Sequence, residues 1–219
     1  LLRKGNLSMK NSIFEIVSNR PLTSTVFEMV LKGDTSPITA SGQFVNIALE
    51  GLYLRRPISV CDAEEGKLTL IYKVVGKGTE QMRDMTEGTL DILSSLGNGY
   101  DTSLSGEKPL LIGGGVGVPP LYMLAKELVK EGKEVSVILG FNTKDEVFYE
   151  EEFRALGCDV TVTTVDGSHG IKGFVTNALD GKQSYYYTCG PLPMIKALLQ
   201  AAGTNGEVSM EERMGCGFG

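Results

Sequence analysis

Near residues 101–108, DTSLSGEK, the hydrophobic pattern of the chain changes period, and one layer of structure cannot satisfy both halves. Before this stretch, NSIFEIVSNR, STVFEMVLKG, GQFVNIAL and KLTLIYKVV are short strand-like segments, several with apolar and polar residues alternating. Period two buries one face of a strand and leaves the other in water. Gly, Pro, Asp and Ser separate the segments, with almost no helical period, so a small antiparallel barrel of five or six strands is expected. After the stretch, KPLLIGGG, EVSVILGF, CDVTVTTV and SYYYTCG read as buried strands. PPLYMLAKELVKEG, VFYEEEFRALG and PLPMIKALLQAAG between them read as helices, while FVTNALDG and GEVSME continue the rhythm. Such alternation implies a parallel sheet with helices on its faces.

Composition narrows the function classes. Acidic residues number 27 against 21 basic ones, a net charge of −6, and no Lys/Arg run offers a nucleic-acid or polybasic membrane surface. No apolar run reaches the roughly 18–20 residues of a membrane span. The N-terminal LLRKGNLSMK has no apolar stretch after its basic residues, so it is not a secretory signal, and without an initiating Met a few residues are expected to precede it. Cys61, Cys158, Cys189 and Cys216 form no CxxC pair and read as reduced thiols of a cytoplasmic protein. His169 is the one histidine, which excludes a His-rich zinc site.

Gly113–Gly117, followed by Val118, Pro119 and Pro120, joins a buried strand to a helix. Such a turn presents backbone N–H groups and the positive end of a helix dipole to an anion, and glycine lets a phosphate come close. It is not G-x-G-x-x-G, because Val118 or Pro120 stands where the third glycine would fall. Alone it supports a nucleotide phosphate, or merely a tight turn. In the first half, Arg55-Arg56-Pro57-Ile58-Ser59 offers a guanidinium and, two residues on in an extended chain, a hydroxyl. Val75-Gly76-Lys77-Gly78-Thr79 then opens onto the short helical segment TEQMRDM. Two anion-friendly loops in a barrel and one in a parallel-sheet unit fit one dinucleotide on each, a pairing suited to hydride transfer between a flavin and a nicotinamide.

RRPIS, VVGKGT, GGGVGVPP and TCGPLPM, in that order, resemble the ferredoxin–NADP reductase superfamily. SLGNGYD and MEERMGCGFG narrow the resemblance to the electron-transfer subunits of class 1B, NAD-dependent dihydroorotate dehydrogenases, over about residues 12–219. The resemblance implies an FAD-binding barrel over 1–103 and an NAD-binding α/β unit over 104–206. It also implies a last strand with the start of a 2Fe–2S unit over 207–219. By resemblance Arg56, Pro57, Ile58 and Ser59 form the flavin motif, Ile71, Tyr72 and Lys73 a strand touching FAD, and Gly78 and Thr79 its pyrophosphate loop. Gly114, Gly115 and Gly117 would receive NAD(H), and Cys189, Gly190, Pro191 and Met194 would close over the nicotinamide. Cys216 would be the first ligand of a 2Fe–2S cluster whose other cysteines lie beyond the last residue of this sequence.

The implied partner is an FMN-containing dihydroorotate dehydrogenase catalytic subunit, in a heterotetramer, serving pyrimidine biosynthesis. The small subunit of an NAD(P)H:ferredoxin oxidoreductase or soluble hydrogenase is the alternative within the superfamily, and a regulatory module without flavin is the alternative outside it. No side chain is expected to act as a catalytic acid or base, since hydride passes directly between cofactors. Cys189 reads as a small residue in a tight turn, His169 as a solvated loop residue, and Tyr185–Tyr187 as buried strand. Asp145 or Glu146 could meet the adenosine ribose, which favours NAD over NADP, while Glu211 or Glu212 could approach the flavin.

Overall fold

The computed structural model describes residues 9–203 and 205–210. Six strands, β1 (Lys10–Pro21), β2 (Val26–Lys32), β3 (Phe44–Ala48), β4 (Arg56–Glu64), β5 (Lys67–Lys73) and β6 (Thr89–Leu96), close into an antiparallel barrel. Its order is β1-β2-β5-β4-β3-β6. Alternation works as expected on β1, where Phe14 and Ile16 are buried while Ile13 and Val17 face outward. Phe14, Met29, Leu31, Val45, Ile47, Leu68, Leu70 and Ile92 fill the interior. Helix α1 (Lys77–Asp84) follows β5 and lays Met82 against that core.

The second unit holds β7 (Pro109–Gly114), α2 (Pro120–Lys130), β8 (Ser136–Phe141), α3 (Glu150–Ala155), β9 (Asp159–Thr164), β10 (Ile171–Lys172), β11 (Tyr185–Cys189), α4 (Leu192–Ala202) and β12 (Gly206–Ser209). The strands make one parallel sheet in the order β10-β9-β8-β7-β11-β12. All six residues of β7 are buried, as both-face coverage of a parallel strand demands. Strand β12 pairs with β11 from Tyr186↔Gly206 to Cys189↔Ser209. It therefore completes this sheet, satisfying the outer edge of β11. FVTNALDG contributes only a short 3-10 turn, Val175–Ala178. No helix among the described residues is long and apolar enough to cross a membrane.

The two units share one core. Val26, Cys61 and Ile71 of the barrel pack with Leu121, Leu124, Ala125 and Leu128 of α2. Polar bonds surround this apolar seam. Lys126 Nζ donates to Asp62 at 2.7 Å and to Glu64 at 2.9 Å, and Ser41 Oγ donates to Glu127 at 2.7 Å. Tyr149 Oη donates to the buried Glu28 at 2.9 Å, and Glu28 also accepts from Arg20. Tyr149 stands at φ +66° just ahead of α3, a left-handed backbone that an α-helix cannot include, so the helix starts at Glu150 and not at Val147 as the sequence pattern suggested.

Candidate functional site: a cleft at the switch point of the sheet

Strands β7 and β11 lie side by side with Gly113 opposite Cys189. From them the chain leaves in opposite directions, β7 toward β8 and β11 toward β12. Where successive crossovers diverge, the carboxyl ends of a parallel sheet are left uncovered, and this is where such sheets hold ligands. A cleft of about 780 Å³ occupies that place, within the usual size range of small-molecule sites. Gly114, Gly115 and Gly117 line it from one side, Cys189, Gly190, Pro191 and Met194 from the other, with Asn142, Glu146 and Thr163 along the wall.

The glycines of the turn have two different reasons. A Cβ on Gly117 would overlap the Cys189 carbonyl, and one on Gly114 would sit 2.5 Å from Met194 Sδ. Those two positions are glycine because the β7 and β11 turns pack face to face. Gly115, at φ +53° with open space around it, is the one whose backbone faces the cleft freely. Helix α2 begins just beyond with Pro120 at its first position and no side-chain cap; its first N–H groups bond back to the carbonyls of Gly115, Val118 and Pro119, and the helix dipole still favours an anion at this end.

Two charged residues line the cleft among the described residues, Lys73 from the barrel and Glu146 from the loop after β8. Glu146 accepts from the Asn142 backbone N–H at 3.1 Å and from its side-chain amide at 2.8 Å, so one carboxylate oxygen braces its own loop. Asp145 does not line the cleft. Thr163 is wholly buried in the wall, and its hydroxyl has no hydrogen-bond partner among the described residues.

On the barrel, Arg55 and Arg56 diverge. Arg55 donates to Asp91 at 2.9 Å and to the carbonyls of Asn46 and Asp91 at 3.2 Å, tying β4 to β3 and β6. Arg56 makes no ion pair among the described residues. Its side chain lies on Gly78, where any Cβ would overlap the guanidinium, and it donates to the Leu54 carbonyl. In the loop that leads to it Tyr53 is 100% exposed and Leu54 60%, and in the loop before Gly78 Val75 is 79% exposed. Exposed apolar side chains flanking a guanidinium that has no ion pair among the described residues suit a ring system carrying phosphate.

The comparisons agree with this geometry. A family model described as an oxidoreductase NAD-binding domain matches residues 111–200. A protein of Bacillus pumilus (strain SAFR-032) named as the electron transfer subunit of dihydroorotate dehydrogenase B (NAD(+)) is 46% identical, over 96% of this chain and 86% of its own length. The chain belongs to that family. A relative of the same name from Fusobacterium nucleatum is 44% identical over 96% of this chain and 87% of its own. Among solved structures, the NADH-dependent reduced ferredoxin-NADP oxidoreductase superposes with a TM-score of 0.81 and 32% identity, covering 92% of this chain and 77% of that one. A ferredoxin NADP+ reductase of Neisseria gonorrhoeae, 15% identical, shares the fold at a TM-score of 0.79, over 91% of this chain and 98% of that one.

As an electron transfer subunit of this family, the chain brings together most but not all of the residues its motifs single out. Arg56 and Gly78 meet, as do Gly114, Gly117, Cys189, Gly190, Pro191 and Met194. Pro57 is exposed, and Ile58 and Ser59 are half-buried on β4, which runs extended from Arg56. The side chains of Ile71 and Tyr72 are buried, Ile71 in the seam with α2 and Tyr72 inside the barrel, where its hydroxyl donates to Asn19. Only their backbone is left for a cofactor. The Thr79 hydroxyl accepts from the N–H of Val75 and Gly76 and donates to the Gly76 carbonyl, so it shapes the loop.

Cys61 and Cys158 are not poised as nucleophiles. Burial pushes the thiol of Cys158 up to about 11 and that of Cys61 higher still. His169 is not merely solvated, because its Nε2 lies 2.7 Å from Glu150 Oε2. Cys216, Glu211 and Glu212 lie outside the described residues, which hold no group of three or more potential metal ligands. Sequence reasoning missed Tyr53, Leu54 and Thr163. The first two had a signal, an apolar pair directly before two arginines in a loop, whereas Thr163 looks like any strand threonine.

Proposed function

We propose that the barrel rim binds FAD through Arg56 and the backbone of Gly78, and that the switch-point cleft takes NADH. The two cofactors would supply hydride and single-electron transfer, and the chain supplies binding, mutual orientation and exclusion of water. The observation that carries this reading is that Lys73 of the barrel and the glycine turn of the sheet line the same cleft. A ligand held by the sheet unit therefore abuts the barrel, as transfer between two cofactors requires. The residues fit FAD: a guanidinium with no ion pair among the described residues, a loop glycine against it and exposed Tyr53 in the loop that leads to it offer a phosphate contact and a ring contact.

Beyond the flavin, the reading assigns electron exit to a 2Fe–2S cluster that includes Cys216, then to an FMN-containing catalytic subunit that oxidises dihydroorotate in the cytoplasm, assembled as a heterotetramer. The described residues supply none of the cluster's ligands, and that part rests on family membership. Arg56→Ala tests the flavin site. It should lower FAD retained through gel filtration by about 10-fold or more, the worth of a charge-assisted bond. Arg55→Ala should retain FAD and lower stability instead. Full FAD content in Arg56→Ala would remove the site from this surface.

A further inference from the structure

We infer that Tyr149 is a positioning residue for transfer between the two cofactors, setting the barrel against the wall of the cleft through its bond to Glu28. The inference rests on the reading that the cleft takes NADH and the barrel rim FAD. Tyr149 holds a left-handed backbone at φ +66°. For a bulky aromatic residue that conformation costs free energy and persists only where the surrounding structure over-determines it, most often at functional places. The seam of Val26, Cys61 and Ile71 against α2 is apolar, and apolar burial is non-directional, so it resists separation better than sliding. A hydrogen bond has a direction. Of the polar bonds across the seam, Tyr149–Glu28 is buried at both ends, whereas Lys126 and Glu127 are only half-buried.

The short segment from Glu146 to Glu150 reaches in three directions. Glu146 lines the cleft and braces Asn142 beside it. Tyr149 donates to β2 of the barrel, where Glu28 also accepts from Arg20 of β1 at 2.8 Å. Glu150 lies 2.7 Å from Nε2 of His169, in the β9–β10 connection that also gives the cleft Val165. Cleft wall and barrel are therefore joined through adjacent residues, Tyr149 on the barrel side and Glu150 on the cleft side. The Tyr149 ring stands edge-on to Tyr122 of α2 with centroids 5.0 Å apart, which fixes where its hydroxyl points. Burial pushes that hydroxyl well above the ordinary tyrosine range, so it stays a donor.

Stopped-flow reduction of the FAD-loaded protein by NADH separates positioning from binding. The limiting rate at saturating NADH reports transfer, and the half-saturating concentration reports the cleft. Tyr149→Phe keeps the ring and loses the bond. It should lower the limiting rate about 10- to 100-fold, the effect of a misplacement of about 1 Å, with half-saturation within roughly threefold of the parent. FAD content should be unchanged. A second readout does not follow turnover: with NAD+ added to the reduced protein, the long-wavelength absorbance of nicotinamide stacked on flavin should weaken in the variant. Glu28→Gln keeps an acceptor oxygen for the hydroxyl and should stay within roughly threefold of the parental rate. Glu28→Leu should slow transfer as Tyr149→Phe does, and combining the two should slow it no further. This barrel-side variant carries the test if Tyr149→Phe does not fold. Parental limiting rate and absorbance in Tyr149→Phe or Glu28→Leu, with only stability lowered, would overturn the inference and leave the bond a structural tie. Lost FAD or raised half-saturation with a parental limiting rate would overturn it as well. A parent protein whose flavin NADH does not reduce would show the failure of the cofactor reading itself, before any substitution is made, and the inference would fall with it.

Discussion

Gly115 and Gly117 stand two positions apart in one turn and are glycine for opposite reasons, so the same substitution should affect them differently. Alanine at Gly117 would drive its Cβ into the Cys189 carbonyl, a backbone atom that cannot swing aside. We expect Gly117→Ala to lower unfolding free energy by about 3 kcal/mol, the upper end for overpacking. Alanine at Gly115 meets nothing within 4 Å but must hold φ +53°, which costs about 1 kcal/mol. Urea denaturation of the two variants checks the order, and a reversed order would mean the turns do not pack as described. The glycine run was legible in the sequence as a phosphate-friendly turn, but its division of labour was not. Period and composition show that a chain bends tightly, while the atoms that would meet an added Cβ belong to a strand some 70 residues away. Tyr72 teaches the same lesson from the other side. Its motif position suggested a cofactor contact, and the barrel interior claimed its ring.

Among the elements, period-two segments and the strand–helix rhythm made the barrel and the sheet legible. The weak points are explicable. RPISVCDAE was read for its arginine and serine, and TLDILSSL carries serines on β6, of which Ser94 is wholly buried. Helix α3 is shorter than its pattern because the left-handed backbone of Tyr149 interrupts it. That interface also carries a pH signature. The hydrogen bond from Lys126 holds the Glu64 carboxyl below its ordinary value of 4.5. A lowered carboxyl contributes its full stability above the unfolded value and loses it as pH falls through the folded one. At pH 7, Lys126→Met should cost about 1 kcal/mol, consistent with partly exposed pairs. Urea midpoints of parent and variant should draw together as the pH falls below about 4. A gap that stays constant with pH would assign the loss to packing of the lysine stem.

At the scale of the whole molecule, the barrel and the sheet unit share a core along α2, with a buried Tyr149–Glu28 bond fixing one side of it. A shared core holds the proposed flavin surface and the proposed nucleotide cleft in one geometry, the condition for direct transfer between bound cofactors. That shared geometry is what direct transfer would ask of an electron-transfer component. The measurement that tests it most directly is an anaerobic titration of the FAD-loaded protein with NADH, followed by visible absorbance. The account predicts that the flavin band bleaches with about one equivalent of NADH per FAD, since each carries two electrons. A bound flavin that stays oxidised under excess NADH would contradict it.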